Sequence, residues 1–275
     1  LLDLGHDAEI IFLTGDGKNC EWAFSDDPKS YQPNASKIII KDVKEYLKEV
    51  RKEGFIVYPE IVNGNPLDGR NVVRYLLNRE GALKPWGMDA SNRDFFLVHS
   101  IKFRDKFNYA LFNVPSINWL DEDSLEPFEK RSIDVTYLGK GQKFGFNRIV
   151  KNTLEVTRQW PNTQQQLRLL LSKTRFFFTF DPLTATSLDA ILCGAIPCVF
   201  YSDKFDISSI EGIEIPTFSA YARLNHDFEL EQIDFDIDSF QETRKEIIKQ
   251  VKHLESSYTD RVALLASEIH SHFRK

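Results

Sequence analysis

The chain has 275 residues, of which 42% are hydrophobic and 28% charged, and its formal net charge is −6 at pH 7. Such a chain can bury one large core or two modest ones. It has no apolar run of about 18 residues, which disfavours a membrane span, and its acidic balance without any long Lys/Arg block disfavours a nucleic-acid binder.

The three cysteines, an odd and low number, fit a reducing compartment better than a disulfide framework. No charged-then-apolar leader is visible either. We therefore expect a cytoplasmic protein with no nucleic-acid partner and no transmembrane segment, and leave peripheral membrane contact open. The 22 phenylalanines fall mainly in strand-like runs and read as core.

Leu1–Gly5 reads as the last turn of a helix, with His6 leading into a strand at Glu9–Leu13. A nucleotide-binding half ordinarily opens on a strand before that helix. Its first strand is missing here, so residues precede it or the chain is a segment of a larger protein. Thr14–Gly17 is a loop signal. Ile38–Ile40 is an apolar run, and Asp42–Lys52 carries Val43, Tyr46, Leu47 and Val50 at helical spacing up to Gly54. Phe55–Tyr58 predicts a strand. Gly69–Asn78 predicts a helix with Val72, Val73, Leu76 and Leu77 on one face, and Phe95–Val98 and Tyr109–Phe112 predict strands. Pro115–Phe128, with Asp121, Glu122, Asp123, Glu126 and Pro127, breaks the rhythm and reads as a linker.

The alternation then resumes. Ile133–Leu138 is a predicted strand ending in Gly139-Lys140-Gly141, and Leu154–Thr157 is the next. Thr163-x-x-Gln166 is a capping box opening a helix with Leu167, Leu170 and Leu171. Phe176–Phe180 is a strand, Thr184–Cys193 a helix stopped by Gly194, and Ile196–Tyr201 a strand. Ser239-x-x-Glu242 is a second capping box, and one or two helices close the chain. Strands alternating with amphipathic helices imply parallel sheets covered on both faces. The expected fold is α/β, with two Rossmann-like domains facing a cleft: residues 1–115, a linker at 116–130, and residues 131–275 with the closing helices.

Phe176 to Val199 carries the most chemistry. It reads strand, polar loop, helix, glycine stop, strand. Free N–H groups and the dipole at the helix start favour an anion such as phosphate. Thr184, Thr186 and Ser187 add hydroxyls there, and Asp189 is placed to accept from ribose hydroxyls.

This stretch resembles the C-terminal domain of GT-B glycosyltransferases, especially the group carrying E-x7-E. Asp181 and Asp189 stand at that spacing with Asp in place of both Glu residues, and Ala190 and Cys193-Gly194-Ala195-Ile196-Pro197 are similar to the continuation that follows. The resemblance implies a nucleotide-diphosphate-sugar donor, with Asp181 at the sugar, the amides of Leu183 and Thr184 at the sugar and diphosphate, and Asp189 at the ribose. It implies no metal or other cofactor, because basic side chains and helix N-termini neutralise the leaving diphosphate in that group. Thr157-Arg158-x-Trp160-Pro161-x-Thr163 and Tyr58-Pro59-Glu60 with Gly64-Asn65-Pro66 are similar to bacterial polysaccharide glycosyltransferases.

Further candidates surround this stretch. Gly139-Lys140-Gly141 can approach a diphosphate closely, with Lys140 neutralising it, or it is a surface turn. Arg158 is a second phosphate ligand, or stacks on a base or on Trp160. Glu60, at a strand's carboxyl end, is a general base for inversion, an acceptor ligand or a structural turn residue. His99 is placed similarly. In retaining GT-B enzymes a histidine near that position contacts the donor sugar, and the plainer reading is a hydrogen-bonded core or rim histidine. Asp234-Phe235-Asp236-Ile237-Asp238 runs directly into a helix cap, which argues against a metal-binding D-x-D. Cys193 and Cys198 read as buried thiols.

The expected activity is transfer of a sugar from a nucleotide donor in the second half to a saccharide or lipid-linked acceptor in the first. A nucleotide-sugar epimerase-like enzyme and a non-catalytic nucleotide- or sugar-binding module are the alternatives.

Overall fold

The computed structural model describes residues 13–14, 23–24, 48, 50–78, 80, 87–100, 103, 110–112, 125–139, 141, 147–157, 159–181, 184–200, 220–224, 227 and 229–274. The chain forms two compact units, Leu1–Val114 with Ser256–Lys275, and Pro115–Glu255. Both are mixed α/β. The apolar run Ile38–Ile40, residues 116–124 of the expected linker, and Lys140, Arg158 and Leu183 lie outside the described residues.

In the first unit, β1 (Leu13–Thr14) and β2 (Ala23–Phe24) pair antiparallel. Four parallel strands then lie side by side in chain order: β3 (Ile56–Pro59), β4 (Val72–Leu76), β5 (Phe95–Val98) and β6 (Ala110–Leu111). β4 replaces the helix expected over Gly69–Asn78. Val72-Val73-Arg74-Tyr75-Leu76 is short and rich in β-branched and aromatic residues, which fit a pleated surface. Strands on both sides complete its hydrogen bonds, Ile56–Pro59 on one edge and Phe95–Val98 on the other. Val72 and Val73 therefore face opposite ways. Val72 joins Ile56, Tyr58, Val62 and Leu67, whereas Val73 joins Leu97 and Ile269.

Arg74, only 1% exposed, lies on the first of these faces. Its Nε donates to Asp94 Oδ2 at 2.8 Å, Nη1 to the Val62 carbonyl at 3.2 Å and Nη2 to the Gly64 carbonyl at 2.6 Å. A buried charge persists only when partnered in this way, and the partners tie the loop after β3 to the loop before β5.

The second unit holds β7 (Ile133–Tyr137), β8 (Leu154–Val156), β9 (Thr174–Thr179), β10 (Ile196–Phe200), β11 (Ala220–Leu224) and β12 (Leu230–Phe235), in the order β12-β11-β10-β9-β7-β8. All neighbours are parallel except β11 and β12. Helix α1 (Gln164–Leu171) joins β8 to β9, α2 (Ala185–Leu192) joins β9 to β10, and α3 (Ile237–Ser256) follows β12. Thr163 caps α1, its side chain accepting from Gln166 N. The cap of α3 is Asp236 and not Ser239, for Asp236 Oδ1 accepts from Asp238 N at 3.1 Å and its carbonyl from Phe240 N at 2.9 Å. One face of the sheet packs Val135 and Phe177 with Leu167, Leu171 and Ala190. Phe176, Phe178 and Phe180 pack with Phe240, Ile247 and Val251 of α3.

The last helix, α4 (Tyr258–Phe273), belongs to the first unit. Its Ile269 is buried with Val73 and Leu97, with Leu265 and Phe273 packed alongside.

The connection from β7 runs to β8 on one side, and that from β9 runs to β10 on the other. The loops leaving adjacent strands β7 and β9 therefore diverge. In parallel sheets such a switch point opens a crevice at the carboxyl ends of the strands, where ligands bind.

Candidate functional site

The crevice brings together two segments distant in sequence, Gly139 with Gly141 and Phe180 with Asp181. Gly139 follows β7 with φ +51, and a Cβ built on it would stand 2.8 Å from both Cβ and Oδ2 of Asp181 and 2.7 Å from Cε1 of Tyr137. A Cβ on Gly141 would collide with Phe180 Cβ and sit 3.1 Å from the Phe180 carbonyl oxygen. Both glycines thus permit backbone approach that any side chain would prevent. Asp181 is 4% exposed. Its amide donates to Thr179 Oγ1 at 2.9 Å, and that hydroxyl donates back to the Asp181 carbonyl at 3.2 Å.

Helix α2 begins just beyond. Thr184 is its N-cap, with Oγ1 accepting from Thr186 N and donating to Thr186 Oγ1, both at 3.3 Å. That hydroxyl is thereby engaged in capping. Ser187 is fully buried, and its Oγ has no hydrogen-bond partner among the described residues. A buried hydroxyl in that state carries a desolvation penalty. Asp189 lies half-buried on the second turn. Burial first, then the Asp189 charge, push the Cys193 thiol up to about 12, and burial raises Cys198 as well. Both are buried free thiols.

Two arginines hold the opposite end of α2. Arg131 Nη1 donates to the Cys193 carbonyl at 3.2 Å and the Thr174 carbonyl at 3.0 Å. Arg244 donates to the carbonyls of Ile191 at 3.0 Å and Leu192 at 3.1 Å. Gly194, φ +75, leaves room for Arg131, whose Nη2 a Cβ there would approach to 2.6 Å. Burial, then the neighbouring Arg244 charge, lower the Arg131 pKa. Cations at a helix carboxyl end complement its dipole and fix the axis whose amino end meets the crevice.

A cavity of about 420 Å³ adjoins Gly139, with Tyr137, Glu155, Thr157 and Gln159 in its wall. Thr157 Oγ1 shapes the loop after β8 by accepting from Gln159 N at 3.2 Å and Trp160 N at 3.0 Å. Arg158 in this loop is the residue that sequence reasoning singled out. Tyr137, Glu155 and Gln159 escaped it, although their place at the carboxyl ends of adjacent strands was an available signal. A second cavity of about 320 Å³, beside Asp134 and Lys151, has its charges already matched by Arg175 and Glu229.

In the first unit, Glu60 and His99 sit at the carboxyl ends of β3 and β5. With β4 between them they are two strand spacings apart, roughly 10 Å. Glu60 is 7% exposed; Oε2 accepts from Leu77 N at 3.0 Å and Oε1 from Asn78 Nδ2 at 3.2 Å. His99 Nδ1 lies 3.4 Å from the Tyr75 hydroxyl, which donates to the Phe112 carbonyl at 2.6 Å. Asn65 holds its turn together, accepting from Tyr58 Oη and Gly69 N and donating to the Gly69 carbonyl. Asp234 accepts from Gln232 Nε2 at 2.8 Å. Among the described residues no group of three or more His, Cys, Asp or Glu is placed to hold a metal ion, and no described helix is long and apolar enough to cross a membrane.

The fold is mixed α/β, with a strand-end switch point between β7 and β9 of the second sheet. Comparison with protein-family models, with curated proteins and with solved structures finds no match.

Proposed function

We propose that the chain is a glycosyltransferase of the GT-B type, built from two Rossmann-like units, that moves a sugar from a nucleotide-diphosphate donor to a saccharide or lipid-linked acceptor. One observation carries the reading. Gly139, Gly141, Asp181 and the start of α2 converge at the β7/β9 switch point. The glycines let the loop after β7 close on Asp181 and Phe180, and Lys140 and Arg158, which follow β7 and β8 in sequence, are the counter-charges assigned to the diphosphate. Asp181 contacts the sugar, the Leu183–Ser187 segment meets the phosphates, and Asp189 holds the ribose. Glu60 and His99 are the acceptor-side candidates at the carboxyl edge of the first sheet, and no metal is assigned.

A second reading, binding without transfer, is favoured by Glu60, because it is only 7% exposed and is already bonded to Leu77 N and Asn78 Nδ2. A general base needs a lone pair within reach of the acceptor proton. Nucleotide release from a panel of nucleotide sugars separates the two. Release that depends on a saccharide acceptor supports transfer, and saturable binding without release supports the module. If no nucleoside diphosphate raises the melting temperature, the donor site is lost altogether. Asp181→Ala is expected to weaken donor-sugar binding roughly tenfold or more, and Asp189→Ala to weaken the free nucleotide similarly.

A further inference from the structure

We propose that Tyr75 is a positioning residue that fixes His99 in the Nδ1–H form, so that Nε2 meets a ligand as a hydrogen-bond acceptor and takes a hydroxyl there. The inference rests on the acceptor-side part of the reading above and adds the chemistry of the group that His99 receives. Tyr75, His99 and Phe112 stand at the carboxyl ends of the neighbouring strands β4, β5 and β6. The sheet's hydrogen bonds run on through them: His99 N donates to the Leu76 carbonyl and Phe112 N to the Val98 carbonyl, both at 2.9 Å. Their backbones are therefore held in place by the sheet itself.

A neutral phenol has a single proton to give. Burial keeps that proton on Tyr75, whose pKa is pushed up to about 12. Tyr75 Oη lies 2.6 Å from the Phe112 carbonyl oxygen. A carbonyl oxygen cannot donate, so at that distance the phenol proton lies between the two. Toward His99 Nδ1, at 3.4 Å, the same oxygen then has only lone pairs to offer. The proton of that contact comes from Nδ1. A neutral imidazole carries one N–H, so Nε2 holds the lone pair. Free histidine prefers the opposite form, with the proton on Nε2, and Tyr75 reverses that choice. His99 is half-buried at an edge where parallel sheets receive ligands. A ligand at Nε2 must bring a hydrogen. A saccharide hydroxyl does so, and an ionised carboxylate does not.

The test is nitrogen-15 NMR of the full chain, labelled at the histidine ring nitrogens, at about pH 8, above the ordinary histidine range. Loss of signal in His99→Gln identifies the His99 resonances. Nδ1 is expected at the position of a protonated nitrogen and Nε2 at that of a bare one. Tyr75→Phe, which keeps the ring and removes the hydroxyl, should shift the balance toward Nε2–H. Titration with the methyl glycosides of glucose, galactose and mannose should move the Nε2 signal upfield with at least one of them, and sodium acetate should leave it in place. A bare Nδ1 in the unaltered chain, an unchanged tautomer in Tyr75→Phe, or an Nε2 signal that no glycoside moves overturns the proposal. None of these measurements uses a nucleotide. Their failure therefore leaves the donor site standing, and a failure of nucleotide binding leaves the His99 assignment standing.

Discussion

Between Gly139 and Asp181 there is room for a hydrogen atom but not for a methyl group. Gly139→Ala would bring a strained φ of +51 and a contact of 2.8 Å with the carboxylate, a cost on the order of 1–3 kcal/mol. Urea denaturation should report it, and Asp181→Ala in the same chain should recover part of the loss because the two sites couple directly. A second residue-scale test concerns Arg74. Asp94→Ala strands a guanidinium that is 1% exposed, and should cost about 3–5 kcal/mol in the same assay. These residues differ in how far sequence revealed them. Gly139 and Asp181 were legible because each sits where a strand gives way to a turn signal. Arg74 was not, since its partners at Val62, Gly64 and Asp94 become neighbours only once three strands have paired.

Helix α2 shows the same divide within one element. Its amino end was legible, for Thr184 and the apolar run after it are local signals. Its carboxyl end is held by Arg131 and Arg244, whose partners are 62, 53 and 52 residues away, and no local pattern announces them. Removing the Arg244 side chain leaves the last carbonyls of α2 without that donor. Arg244→Ala should therefore lower unfolding free energy by about 1–3 kcal/mol and weaken nucleotide binding, with denaturation and titration as the two readouts. β4 was misread because apolar residues at 72, 73, 76 and 77 satisfy a helical period as well as a buried strand, and only the flanking strands decide. β11 and β12 went unseen: Leu230–Phe235 mixes acidic, polar and apolar residues on a largely exposed edge, so no hydrophobic run marks it.

At the scale of the whole molecule the alternation of strand and helix was legible in the second half, whereas in the first the expected helix over Gly69–Asn78 proved to be β4. The return of α4 to the first unit was not legible, because its apolar face fits any sheet of suitable width. Groups in both units make the protein sensitive to alkali. Burial pushes Tyr58 and Tyr75 up to about 12 from 10.0, and Cys193 up to about 12 from 9.0. Each keeps its proton in the fold where the unfolded chain has lost it. Their stabilisation is intact below about pH 9 and declines as pH climbs toward 12. Urea midpoints should fall from about pH 8 to 10 to 11, and Tyr75→Phe should flatten the later part of that decline.

The two units also differ in continuity: Pro115–Glu255 is one uninterrupted stretch, whereas the first unit needs both Leu1–Val114 and Ser256–Lys275. On the ribosome, which emits the chain from its amino end, the second unit has all its residues while the first still waits for Ile269 to fill the space beside Val73 and Leu97. The half that begins synthesis first is thus the one that matures last, and a chain truncated after residue 255 should resist protease over the second unit while the first is cut.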